Sequence, residues 1–503
     1  MRPITLEHGK LTGMASPRDS RVNVWRGIPY AQPPVGSCRW QPPAPLQPWT
    51  GIREATTFGA SSYQPTQFSS FVWSRGEFEV SEDCLYLNVW ARKKADQLPV
   101  MVWFHGGAHT SGQGSSAIFD GTMLANHGVV VVSINYRLGV FGFLAHPWLS
   151  DESGRDSAGN YGLLDKIAAL QWVRKNIASF GGDPDNVTIF GQSAGSQSVC
   201  SLMASPVAAG LFHKAIGQSA TCVGPESNKD IDGRERGAQL VSSLGASNLE
   251  ALRALPTDTV HNASITSGWV NRSKIVIDGY VLIEPQIETY RKGLQAQVPL
   301  MLGSLSDEGV MLFPKDDSLS DHQLTTYLEK TFGEHGHHLK TLYARKTNNP
   351  GDVQHAIATD FFMAFGMRRW AQYSASAGNA TFLYFMDHVP PAFHLYMPES
   401  PMLDLEGGPR SAGAYHSGDL AFVFGTVDHV GLHWTDKDTA LSSLMVNYWT
   451  NFARNGNPNA DDWPPWQGYT EDGRETMCLN STPGIRAGVR SEALDMMAAA
   501  YPL

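Results

Sequence analysis

The chain of 503 residues is short of positive charge: 38 Lys and Arg stand against 48 Asp and Glu, a formal net charge of −10. It holds no long basic run, and a surface of this sign does not collect phosphates, so no nucleic-acid partner is expected. It also lacks a long hydrophobic run. The most apolar stretch, residues 129–144, carries Asn135 and Arg137 and is too short and too polar to cross a bilayer. Residues 1–10 show no apolar core and no small-residue cleavage site, which predicts a chain that is neither exported nor membrane-bound. Cysteine is scarce: Cys38, Cys84, Cys200, Cys222 and Cys478 form an odd set without metal-ligand spacing. Five buried free thiols, no metal and a cytoplasmic address are the expectations that follow. Internal repeats and low-complexity segments are missing too, which excludes solenoids and fibrous arrays.

What is present is apolar material for a large core, 42% of the residues, with aromatics at 10%. Residues 98–104 and 129–134 are apolar almost throughout, and residues 187–190 form a shorter run of the same kind. Strands without alternation are buried on both faces, as in a sheet covered by helices. Between them, residues 162–177 place Leu163, Ile167, Leu170, Val173 and Ile177 on one helical stripe, with Gly181 and Gly182 as the stop. Strand, helix and strand in succession predict an α/β fold around a mostly parallel sheet. Helical patterns return at 353–377 and 439–455, and the weak, polar stretch at 225–300 reads as an insertion over the sheet edge. We read residues 1–503 as a single domain with insertions.

The most informative pentad is Gly191-Gln192-Ser193-Ala194-Gly195. A random chain of this length holds about 0.4 copies of G-x-S-x-G, so context has to carry the argument. The pentad directly follows the buried run 187–190 and precedes a helix-compatible stretch, the setting in which a serine is held on a tight turn above a strand end. A serine hydroxyl needs a base, and acyl transfer needs donors for an oxyanion. His105-Gly106-Gly107-Ala108, straight after the strand 98–104, offers backbone N–H groups in small residues. Residues 112–117 imitate a dinucleotide fingerprint, but no strand feeds them, and no cofactor is expected. Gly217-Gln218-Ser219-Ala220-Thr221 repeats the wording without the last glycine, which makes Ser219 a strand-end residue able to support the site. At this level any of the 17 histidines could be the base.

With both elements in place the sequence resembles the type-B carboxylesterase/cholinesterase family of α/β-hydrolases, in its bacterial form, over nearly the whole chain. The resemblance rests on residues 180–195, ending in the serine pentad, and on Glu82-Asp83-Cys84-Leu85-Tyr86-Leu87-Asn88-Val89-Trp90. Further matches stand at 26–31, 135–139, 160–165 and 449–459. It implies an α/β-hydrolase fold with large insertions over an active-site gorge, and a serine esterase acting on small-molecule esters. It implies Glu308, within Gly303-Ser304-Leu305-Ser306-Asp307-Glu308-Gly309, as the acid, and His416, ahead of Phe422-Val423-Phe424-Gly425, as the base. Ser193, Glu308 and His416 would form the triad; Gly107, Ala108 and Ala194 would hold the oxyanion; Ser219 and Asp419 would support the site. Glu82, Asp83, Asn88, Asn135 and Arg137 are assigned to the scaffold. A carbamate or amide hydrolase with the same triad, and a non-catalytic binding protein, are the alternatives.

Several positions depart from the family pattern. Ala108 stands where a third glycine is common, and Gln192 where the family often has Glu, which argues against choline esters. Cys84 finds no cysteine partner between Glu54 and Ala60. The aromatic-rich stretch 61–78 is expected to form a rim over the gorge; Trp73 lies one position out of register with the aromatic residue that cups choline.

Overall fold

The structure is a computed structural model, and it describes residues 1–65, 78–225, 232–271, 274–313, 315–395 and 402–501. The apolar runs become the middle of an eleven-stranded sheet. In chain order its strands are β1 (Met14–Ala15), β2 (Val22–Pro29), β3 (Tyr86–Arg92), β4 (Leu98–Phe104), β5 (Val130–Ile134), β6 (Gly182–Gln192), β7 (Lys214–Gln218), β8 (Leu300–Leu305), β9 (Thr381–Met386), β10 (Glu475–Leu479) and β11 (Gly484–Ala487). They lie in the order β11-β10-β9-β8-β7-β6-β4-β5-β3-β2-β1. From β5 through β10 every neighbouring pair is parallel. Antiparallel strands close both edges: β11 at one, and β3, β2 and β1 at the other. This is the expected α/β-hydrolase architecture.

Burial on both faces explains the missing alternation. Along β4, Val100, Val102 and Phe104 join one apolar cluster while Met101 and Trp103 join another on the opposite face. Strand β5 divides the same way, Val130, Val132 and Ile134 against Val131. The first cluster is covered by α1 (Tyr161–Asn176), through Leu163, Ile167, Leu170 and Val173, and by α2 (Ala194–Met203). The second is covered by α5 (Asp436–Asn455), through Leu441, Met445, Trp449 and Phe452. Each such side chain contributes roughly 1.5–3 kcal/mol by leaving water. The pattern at 353–377 becomes α3 (Pro350–Thr359), a π-helical turn at Asp360–Ala364 and α4 (Phe365–Ser376).

The helix stops where expected: Gly181, left-handed at φ 84°, caps its last turn, and Gly182 opens β6. Two other expectations need correction. The segment 225–300 joins the adjacent strands β7 and β8 inside the sheet, and Leu240, Val241, Leu252 and Val260 from its helices enter the α1-side cluster. It covers a face, not an edge, because a parallel connection must cross over the sheet. Finally, Cys200 on α2 and Cys222 beyond β7 form a disulfide, their Cα atoms 5.6 Å apart. Cys38, Cys84 and Cys478 are free thiols.

Among the described residues no helix is long and apolar enough to cross a membrane. The proposed aromatic rim falls largely at residues 66–77, including Phe68, Phe71 and Trp73, which lie outside the described residues.

Candidate active site

The seven parallel strands end on one side, and the candidate site residues Ser193, Glu308 and His416 gather there. Strand β6 runs through Gln192 and gives way at once to α2, so Ser193 occupies the junction with φ 56° and ψ −127°. A side chain is strained in that conformation. The turn holds because its amide donates to the Gln218 carbonyl at 2.8 Å and because Gly191 and Gly195 flank it. A Cβ on Gly195 would meet the Phe104 carbonyl oxygen at 1.9 Å, and one on Gly191 would meet Gly195 at 2.5 Å. Only glycine permits α2 to start so close to β4 and β6. Ser193 itself is half-buried.

Glu308 and His416 come together from distant parts of the chain. Glu308 follows β8, is fully buried, and accepts the Leu305 amide on Oε1 at 2.7 Å. Its Oε2 lies 2.5 Å from His416 Nδ1. A carboxylate on Nδ1 fixes the proton there and leaves Nε2 as the free base. Nε2, however, is met by the side chain of Gln192, whose Nε2 lies 3.1 Å away. The hydrogen bonds of the described residues join His416 to Glu308 and Gln192, not to the Ser193 hydroxyl.

The loop after β4 lies against the serine: a Cβ on Gly106 would sit 3.0 Å from the Ser193 Cβ. Gly107 (φ 106°) and Ala108 (φ 53°) are left-handed. No hydrogen bond among the described residues uses the amides of Gly107, Ala108 or Ala194. The loop is anchored from behind. Tyr136 donates to the His105 carbonyl at 2.7 Å and stacks on the His105 ring at 4.3 Å, while the Lys166 ammonium sits 3.0 Å from the Tyr136 ring centre. Burial pushes the His105 imidazole down to about 3 and carries His109 well below its usual range, so both rings are neutral near pH 7.

Ser219 and Asp419 stand differently. Ser219 is fully buried with φ 56°, and its amide donates to Gly303, but its hydroxyl finds no partner among the described residues. Asp419 accepts from the Gln218 amide at 2.8 Å and from the Tyr384 hydroxyl at 3.2 Å. Burial raises its carboxyl to about 6; the Gln218 hydrogen bond opposes this and the Glu308 charge adds to it. The scaffold residues make buried polar pairs. Arg137 forks onto Asp165 at 2.7 and 2.9 Å, Arg39 holds Glu82, and the Asn88 and Asn135 side chains each accept a backbone amide.

Comparison with known proteins places the chain that carries this strained serine and glutamate-bound histidine. The model of the carboxylesterase family matches residues 2–497. The chain belongs to the carboxylesterase family.

This carboxylesterase is 35% identical to the para-nitrobenzyl esterase of Bacillus subtilis (strain 168), over 97% of each chain. It is 32% identical to the fumonisin B1 esterase of Sphingopyxis macrogoltabida, over 93% of this chain and 85% of that one. Among solved structures, a thermophilic para-nitrobenzyl esterase superposes with a TM-score of 0.83 at 33% identity, covering 99% of both chains. A carboxylesterase of Geobacillus stearothermophilus superposes equally well, at 32% identity over 99% of this chain and 100% of that one. The enzyme is thus a carboxylic-ester hydrolase.

Sequence reasoning missed two features of the site. The Gln192 contact with His416 was visible only as an unusual residue before the serine. The Lys166–Tyr136–His105 stack left no local signal, since its members are far apart in sequence.

Proposed function

We propose that this enzyme hydrolyses small to medium, uncharged or weakly polar carboxylic esters by two-step acyl transfer through Ser193. The observation that carries the reading is the Glu308–His416 contact at 2.5 Å, whose imidazole reaches Gln192, the residue before the strained Ser193. His416 Nε2 takes the hydroxyl proton as Oγ attacks the ester carbonyl, and Glu308 holds the ring and stabilises the imidazolium. The amides of Gly107, Ala108 and Ala194 receive the oxyanion, and losing one such donor costs about 3–4 kcal/mol of barrier. The imidazolium then protonates the leaving alcohol. Water, deprotonated by the same nitrogen, releases the acid and frees the serine. The neutral Gln192 amide and the uncharged His105 and His109 rings support a preference for uncharged esters.

The test is hydrolysis of 4-nitrophenyl esters from acetate to decanoate, beside the matching carbamate, by wild type and Ser193→Ala. Ester turnover that is lost in the variant, with an optimum among the short and medium acyl chains, is expected. Faster turnover of the carbamate would move the assignment to that class, and turnover retained by Ser193→Ala would overturn it.

A further inference from the structure

Gln192 is the last residue of β6, so its backbone leads directly into the serine while its side chain is fully enclosed. Its Nε2 lies 3.1 Å from His416 Nε2. Its Oε1 is buried and has no hydrogen-bond partner among the described residues. That oxygen rests against the oxyanion loop, where a Cβ on Gly106 would come within 2.9 Å of it. Because Glu308 fixes a proton on His416 Nδ1, the neutral ring offers only a lone pair at Nε2, and the Gln192 amide N–H donates to it.

This donor occupies the lone pair that must take the serine proton. The amide N–H must therefore leave this lone pair as the serine proton comes in, because the protonated Nε2 is itself a donor and repels it. Turning the amide over about its Cγ–Cδ bond brings the unsatisfied Oε1 onto the new Nε2–H. We propose that Gln192 is a two-sided positioning residue for His416, donating to the neutral ring at rest and accepting from the imidazolium during the reaction. An amide is the side chain that serves both states in one place. A carboxylate would favour the imidazolium alone, and a hydrocarbon would serve neither. The inference rests on the reading of His416 as the base.

The charged groups that act on the ring are Glu308 on Nδ1 and Asp419, which feels the His416 charge and accepts from the Tyr384 hydroxyl. Asp307 accepts from the Ala414 amide, and His105, which opens the oxyanion loop, stacks on Tyr136 with Lys166 on that ring's face. No hydrogen bond among the described residues takes any of these groups to Nε2.

The experiment follows the 15N shift of His416 Nε2 against pH in enzyme labelled at histidine, for wild type, Gln192→Glu and Gln192→Met. Gln192→Glu is expected to raise the midpoint by about one pH unit, as an opposite charge at hydrogen-bond distance does. The acid limb of its kcat/KM should move with that midpoint. Gln192→Met is expected to lower kcat about tenfold with KM held within about twofold, the scale of a lost proton-transfer partner. In wild type, where no variant has to fold, the Gln192 side-chain amide protons should shift as His416 titrates. An unmoved midpoint in Gln192→Glu, an unchanged kcat in Gln192→Met, or amide protons indifferent to the titration would each overturn the proposal. The titrations need no turnover, so they stand apart from any failure of the esterase reading.

Discussion

At the scale of single residues, the site is governed by where charge is admitted. Glu308 is buried and bound to His416, so Glu308→Gln should keep the fold while removing the charge that, in the proposed mechanism, steadies the imidazolium. A fall in kcat of about 10³–10⁴, with KM little changed, is the expected outcome of steady-state kinetics. Asp419 behaves in the opposite sense. Its carboxyl is raised to about 6 against an unfolded value near 3.8, so the native state keeps a proton that the unfolded chain has already lost. Stability from this group is therefore greatest below pH 4 and declines as pH rises toward 6, by about 3 kcal/mol for a shift of this size. Asp419→Asn keeps an oxygen for Gln218 and Tyr384 and abolishes the charge. Urea melts should show the variant gaining on wild type between pH 4 and 7. The serine and its glycines were legible in the sequence because they are contiguous. Glu308 and His416, 108 positions apart, meet only through the fold, and the residues alone left every histidine open; the family resemblance singled them out.

At the scale of elements, the tight junction of β6 with α2 presents the serine. The 1.9 Å approach to Phe104 leaves no room for a methyl at position 195. Gly195→Ala should lower the melting temperature and the activity together, whereas Ser193→Ala should leave the melt near wild type. Differential scanning calorimetry beside an esterase assay separates the two. The segment after β5 is tied to α1 by the Arg137–Asp165 fork, with Asp165 fully buried. Arg137→Met strands that carboxylate, and a loss of about 3–5 kcal/mol in denaturant melts is expected. Strands β4 and β5 were readable because burial on both faces writes a continuous apolar run. Strand β10, Glu475–Leu479, escaped notice because five mixed residues carry no period of their own. Its place beside β9 is set by the sheet.

At the scale of the whole molecule, two apolar clusters clamp the sheet from opposite faces, and the loops at the strands' far ends are left free for chemistry. That division was visible in outline from strand–helix alternation. The Cys200–Cys222 disulfide was not: cysteine count alone cannot show that the α2 helix and the chain beyond β7 run side by side. With that pair formed, the argument from free thiols to a cytoplasmic address loses its footing. The insertion between β7 and β8 was detected as a segment but misplaced, because its polar surface hides the few residues that dock it.

The account turns on one nucleophile. Treating the native enzyme with a fluorophosphonate ester and mapping the adduct by peptide mass spectrometry tests it most directly. One equivalent of phosphonyl group on the peptide containing Ser193, formed as esterase activity disappears and prevented by His416→Ala, is the predicted result. Full inactivation with the label on another residue, or an unlabelled Ser193 in active enzyme, would contradict it.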